Sequence, residues 1–446
     1  MRLTILGGGG FRVPLVYGAL LRDTSDRRVD EVVLHDVDEG RLAAVGHVLQ
    51  QMAAGREQAP RVATTTDLDT AVTGADFVFS AVRVGGLAGR TADERVALDL
   101  GLLGQETTGP GGLAYGLRTV PVAVHVAERV AALAPSAWVI NFTNPAGMIT
   151  EAMQQVLGTR VVGICDSPIG LGRRAARALG LDPDRTSAGY AGLNHLGWLR
   201  SLSVGGVDVL PDLLADDALL GSIEEGRLFG ADWLRSLGAV PNEYLYYYYF
   251  TRDAVASIRG SAQTRGEFLL EQQHGFYDAV AARPSAALET WDRVRRERDA
   301  TYMKEARHDA EEERDPADVE GGGYEGVALA IMAAIARGER AAMILNVRNG
   351  TTLAGLPPEA VVEVPCTVDA DGPHPLTAAP LTGSMLGLVQ QVKAVEQLTI
   401  EAARSRSVAL ATQAFALHPL VDSVTTARTL LQGYRARIPE VDALLR

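Results

Sequence analysis

The sequence predicts a doubly wound, parallel α/β sheet followed by a mixed α+β domain, on three observations. A short apolar run at residues 3–6 passes through four glycines into a stretch of helical period at 13–21. Strand-length apolar runs then recur, separated by helical stretches, up to about residue 165. Beyond residue 190 this alternation gives way to an aromatic cluster and long charged helices. Strands alternating with helices require a parallel sheet covered on both faces. A Rossmann-type unit is therefore expected over residues 1–190 and an α+β domain over residues 191–446.

Taken in order, the first strand is the run at 3–6, the turn is Gly7-Gly8-Gly9-Gly10-Phe11, and the first helix follows from Val13. A second strand at 31–36 ends on Asp36, with a helix over 40–53 behind it. Further strands are expected at 77–82, 138–142 and 160–165, the last ending in Cys165. In the second half, aromatic residues crowd 244–250, a strand is expected at 343–347, and long helices such as 387–403 close the chain. The acidic and basic run at 293–315, which stops before Pro316, reads as a solvated helix face. No internal repeat or low-complexity linker interrupts the pattern.

Composition narrows the function. With 42 basic and 55 acidic residues the net charge is −13, which argues against a general nucleic-acid or anionic-membrane surface. An anionic ligand would have to be held by local arginines. The two cysteines, Cys165 and Cys366, lie far apart in sequence, so a reducing cytoplasm is expected and Cys366 reads as a core residue. No apolar run approaches roughly eighteen residues, and Met1 to Leu6 enter the glycines without a small-residue cleavage site.

A glycine turn between a strand and a helix lets the backbone approach a pyrophosphate, and the helix N-terminus adds partial positive charge. Gly7 and Gly9 occupy the first two positions of G-x-G-x-x-G, Arg12 stands at the third, and Gly10 and Phe11 complete the turn. Alone, such glycines could simply make a tight turn. Asp36 strengthens the reading, because a carboxylate there accepts both ribose hydroxyls of NAD and repels the 2′-phosphate of NADP. Cys165, followed by Asp166, and His195 in Gly192-Leu193-Asn194-His195 each read alone as structural. Together they would suit a borderline-soft divalent metal with open positions, although there is no CxxC or HExxH spacing.

In order, residues 7–11, 83–87 (Arg-Val-Gly-Gly-Leu), 104–112 (from Gly104-Gln105-Glu106 to Gly111-Gly112), 140–145, 163–166, 192–195, 244–248 and 362–366 resemble glycoside hydrolase family four. The resemblance spans essentially the whole chain and is nearest to the 6-phospho-β-glucosidase members. It implies a lactate/malate dehydrogenase-like fold, NAD+ and a divalent metal, Mn2+, as cofactors, and a homo-oligomer, dimer or tetramer. It also implies a departure from the two-carboxylate glycosidase scheme. A hydride leaves C3 of the sugar, the acidified C2 proton is removed, the C1–O bond breaks by elimination, water adds, and the hydride returns.

By the same resemblance Cys165 and His195 are metal ligands and Tyr244 is the base at C2. Arg83, Asn144, Asn194 and Arg265 surround the sugar and its 6-phosphate, and Glu106 shuttles protons or orients water. Without the resemblance, Tyr244 would read as one more member of an aromatic core. Asp166 departs from the pattern, since this position is typically asparagine in 6-phospho-β-glucosidases and aspartate in 6-phospho-α-glucosidases. A carboxylic acid there could protonate the leaving group, whereas an amide could not. The expected substrates are phosphorylated disaccharides, such as cellobiose 6-phosphate, or aryl glucosides. Within the family the alternatives are a 6-phospho-α-glucosidase and a glycosidase of unphosphorylated sugars; outside it two rivals remain, a lactate/malate-type dehydrogenase, which would accumulate NADH, and a redox sensor that binds NAD and responds through Cys165.

Overall fold

The computed structural model describes residues 1–300 and 323–446. Its centre is one continuous sheet. Six parallel strands come first: β1 (Arg2–Leu6), β2 (Glu31–His35), β3 (Arg61–Thr65), β4 (Phe77–Ser80), β5 (Trp138–Asn141) and β6 (Val161–Gly163). They lie in the spatial order β3-β2-β1-β4-β5-β6. This is the doubly wound order, whose chain reversal leaves a crevice beyond the carboxyl ends of the strands. β1 and β4 are almost wholly buried, as strands covered on both faces must be.

The sheet then continues with antiparallel strands: β7 (Thr186–Leu193), β8 (Leu196–Val204), β9 (Val207–Asp208), β10 (Val240–Pro241), β11 (Ala341–Arg348), β12 (Val361–Asp369) and β13 (Gly372–Pro375). β11 pairs with β6, and the order runs on as β11-β12-β7-β8-β10, with β13 on β12 and β9 on β8. The late pair β11–β12 is thus inserted between β6 and β7. Residue 190 lies inside β7, so the strand that follows the parallel unit already belongs to the antiparallel half.

Three sequence expectations are corrected here. β3 was not anticipated, because RVATT is largely exposed and lacks an apolar face. The expected strand at 160–165 shortens to Val161–Gly163, which leaves Cys165 beyond the strand end, where ligands bind. In the charged run, Arg298 lines the central cavity and is not part of a solvated face; residues 301–315 of that run fall outside the described residues. Among the described residues no helix is long and apolar enough to cross a membrane.

Candidate functional site

At the carboxyl ends of the parallel strands opens a cavity of about 1040 Å³, large enough for a dinucleotide and a sugar together. Of the site residues expected from sequence, all but Gly9 line it.

The glycine turn forms one wall. Gly7 has φ +79°, and a Cβ there would stand 2.5 Å from the Ala81 carbonyl oxygen, so only glycine fits. The Gly10 N–H closes the turn onto the Gly7 carbonyl at 2.9 Å. Gly9 serves packing: its N–H donates to Asp36 Oδ2 at 3.0 Å, and a Cβ would meet Arg41 Cβ at 2.7 Å. The Tyr277 hydroxyl donates to the Gly9 carbonyl at 2.7 Å. Phe11, expected at the cofactor, turns its ring largely into the core, edge-on to Phe276 at 5.1 Å and near Trp291. The loop is thereby pinned from behind, which leaves Gly7, Gly10 and half-buried Asp36 facing the cavity. These residues fit a dinucleotide.

A second wall is arginine-rich. Glu106 accepts from Arg83 Nη1 at 2.5 Å and from Arg90 Nη1 at 2.6 Å. Although burial opposes its charge, the two guanidiniums hold its carboxyl down at about 2. It is therefore ionised at neutral pH and too weak a base to move protons there. Arg265, at the start of the helix Arg265–Ala282, donates to the Arg298 carbonyl at 3.1 Å. Burial, and crowding by Arg12, Arg265 and Arg90, push the Arg298 guanidinium well below its ordinary value. A guanidinium remains charged regardless, and the planar forks of the arginines that line this wall have the geometry to meet phosphate oxygens bidentately.

The third wall holds Cys165, His195 and Tyr244. Asn194 and His195 form the two-residue turn between β7 and β8, and His195 adopts φ +61°, a conformation that costs a non-glycine residue about 1 kcal/mol or more and recurs at functional sites. The Thr107 hydroxyl donates to Gln105 Oε1 and lies 3.1 Å from His195 Nδ1. Thr107 Oγ1 can then accept the Nδ1 proton, which leaves Nε2 with its lone pair. Burial, opposed by Asp166 and Glu106, pushes the imidazole down to about 4, so it is neutral and able to ligate. The Tyr244 ring stacks on it with centroids 3.6 Å apart and planes within 7°.

Cys165 is buried, and its thiol is pushed well up by desolvation and then by Glu363, Asp166 and Glu243. A buried sulfur among carboxylates is short of positive charge. Asn144 adds a buried Oδ1 with no partner. Among the described residues no three His, Cys, Asp or Glu side chains gather to hold a metal by themselves; Cys165 and His195 offer two donors on one cavity, which suits a divalent cation with its other positions left to substrate oxygens and would convert the thiol to a thiolate ligand. Asp166 stands exposed at the cavity wall, and its side chain makes no cap to the helix Ser167–Ala178 that it precedes.

Sequence reasoning missed Arg12, Arg90, Arg298, Glu243 and Glu363. Glu243 lines the cavity one residue before Tyr244, accepts from the Ser167 hydroxyl at 2.6 Å, and is pushed up to about 7 by burial. Its adjacency to Tyr244 was the available signal. Glu363 lies inside the 362–366 motif, where nothing in the local sequence marks it as more than a strand residue.

Comparison with known proteins bears on both halves. The description "Family 4 glycosyl hydrolase" matches residues 2–181, and "Family 4 glycosyl hydrolase C-terminal domain" matches residues 190–421. The chain is 31% identical to a probable 6-phospho-β-glucosidase of Bacillus subtilis, covering 99% of this chain and 98% of that one. It is 30% identical to a 6-phospho-α-glucosidase of Leptotrichia buccalis, covering 96% of each. The structure of the 6-phospho-β-glucosidase from Thermotoga maritima with manganese, NAD+ and glucose-6-phosphate superposes with a TM-score of 0.81 at 28% identity, over 99% of both chains. At the level of fold alone, malate dehydrogenase from Plasmodium falciparum matches with a TM-score of 0.52 at 15% identity, over 91% of this chain and 99% of that one.

Proposed function

Because the chain belongs to family 4 of the glycosyl hydrolases and is therefore a glycosidase, we propose that it cleaves 6-phosphorylated β-glucosides by oxidation at C3, deprotonation at C2, elimination, water addition and reduction at C3. The observation that carries this reading is the convergence on one cavity of the glycine loop, the Cys165 and His195 donors, and Tyr244 stacked on His195. When bound, NAD+ supplies a hydride acceptor and donor for C3, and a divalent metal, Mn2+ as in the Thermotoga protein, supplies positive charge beside the sugar oxygens.

This chain's own residues do the rest. Gly7, Gly10 and Asp36 seat the dinucleotide. Cys165 and His195 hold the cation, and Asn144 and Asn194 meet sugar hydroxyls. Tyr244 takes the C2 proton, its ring plane set by the face of His195. An ordinary phenol titrates near ~10, and a cation held beside it favours the phenolate. Asp166 protonates the departing oxygen at C1 from its exposed position at the wall. Arg83 and Arg265 bind the 6-phosphate, joined by Arg298, while Glu106 spaces Arg83 from Arg90 and leaves proton transfer to Tyr244 and Asp166. Two buried, unpaired cysteines suit the reducing cytoplasm in which phosphorylated sugars would be met, and a homo-oligomer belongs to the same reading. Asp166 favours a second reading, cleavage of 6-phospho-α-glucosides, because aspartate after the ligand cysteine is the α-type pattern.

The deciding experiment offers p-nitrophenyl β-glucoside 6-phosphate, its α-anomer and both unphosphorylated counterparts, with NAD+ and Mn2+ added or omitted. Turnover of the phosphorylated β-compound that needs both additions, with no net rise in NADH absorbance, is expected. Turnover of the α-compound in its place would establish the second reading. Net NADH accumulation, or activity confined to unphosphorylated sugars, would overturn the proposal. Tyr244→Phe should reduce exchange of the C2 proton with solvent deuterium by about 10²-fold or more, and undiminished exchange would remove Tyr244 as the base.

A further inference from the structure

We infer that Glu363, braced by Asn346, is a positioning residue that sets the stance of the Asn194–His195 turn relative to Cys165. The inference rests on the proposed assignment of Cys165 and His195 as metal ligands. Its basis is a row of four residues across the sheet. Gly163 of β6 is in register with Asn346 of β11, Asn346 with Glu363 of β12, and Glu363 with Gly192 of β7. Cys165 follows the first of these by two residues, and His195 follows the last by three. The two donors therefore stand at opposite ends of one row.

β6 meets β11 at a single register pair, and β12 meets β7 at a single pair. The backbone ladder is thin where the donors must be held, and side chains take over. Asn346 Nδ2 donates to Glu363 Oε1 at 2.8 Å, Asn194 Nδ2 donates to the same oxygen at 3.3 Å, and the Tyr190 hydroxyl donates to Oε2 at 3.2 Å. Gly163 makes the close approach possible, since a Cβ there would stand 2.8 Å from Asn346 Cβ. Glu363 and Asn346 are both fully buried. A carboxyl in the middle of a sheet loses its hydration, and an apolar residue of similar size would serve packing as well or better. Its three donors, one of them on the residue next to His195, indicate that it is there to orient the turn.

The test uses the full-length protein and reads Mn2+ binding from the electron paramagnetic resonance signal of the free ion, without substrate. Glu363→Asp withdraws the carboxylate by one methylene from Asn194 and Asn346, and should weaken Mn2+ binding by about 10- to 100-fold, as loss of a ligand's supporting hydrogen bonds does. Glu363→Gln keeps an acceptor oxygen at full reach and should stay within about 3-fold of wild type. NAD+ affinity, read by fluorescence, should be unchanged in both. Asn194→Ala removes the strut from its other end, so it should reproduce the loss even if Glu363→Asp fails to fold. Combined with Glu363→Asp, where that protein folds, it should add little. Wild-type binding that is lost in Cys165→Ser but retained in Glu363→Asp or in Asn194→Ala would overturn the strut alone. Wild-type protein that binds no Mn2+, or Cys165→Ser protein that binds it normally, would overturn the metal assignment, and the strut with it.

Discussion

At Glu106 two guanidiniums share one carboxylate, and this fixes what the residue can do. Its carboxyl, held at about 2 against an ordinary 4.5, is charged in both folded and unfolded chains above about pH 5. The stabilisation is complete there, and it is lost as pH falls through the unfolded value toward the folded one. The shift corresponds to on the order of 3 kcal/mol. Glu106→Gln should therefore lower the melting temperature at pH 7, and the gap to wild type should narrow as pH falls from 5 toward 2. Parallel melting curves across that range would show that the double ion pair contributes nothing. His195 illustrates a different residue-scale constraint. Its left-handed backbone and its hydrogen bond to Thr107 trade local conformational cost for one ring orientation.

Among elements, the β1–glycine–helix unit was legible because its signals are local: an apolar run, a turn that only glycine tolerates at Gly7, and a carboxylate at the end of β2. The motif at 192–195 was legible as a unit, but that it is a two-residue hairpin turn depends on β7 and β8 pairing along their length. β3 was not legible, because an exposed edge strand of arginine, valine, alanine and threonines has no period to read. Arg298 was hidden for the opposite reason: its neighbours form a solvated pattern while its own side chain reaches the cavity. The insertion of β11–β12 between β6 and β7 left no trace in the sequence, since strand order is set by long-range packing. It has a direct consequence for truncation. A chain ending at residue 340 lacks both inserted strands, so β6 and β7 would each present an unpaired edge. Such a fragment should elute as aggregate on size exclusion and bind no Mn2+. A monodisperse fragment that binds both NAD+ and Mn2+ would show that the inserted pair is dispensable.

Over the whole molecule, a net charge of −13 opposes the approach of a phosphorylated substrate, and the arginines that line the cavity attract it at short range. Added salt should screen both effects over about 8–10 Å. The two family matches cover residues 2–181 and 190–421, and we propose the expected division at residues 190 and 191 as one between a mainly dinucleotide-binding part, which also brings Cys165 to the sugar, and a part that completes the sugar and metal site. The sheet itself crosses it without a break. That continuity bears on how the protein is born. Translation proceeds at about 5–20 residues per second, so β6 and β7 emerge from the ribosome roughly ten seconds or more before β11 and β12. During that interval the nascent chain carries two open sheet edges and a bare cysteine, and it cannot assemble its site until most of it has been synthesised.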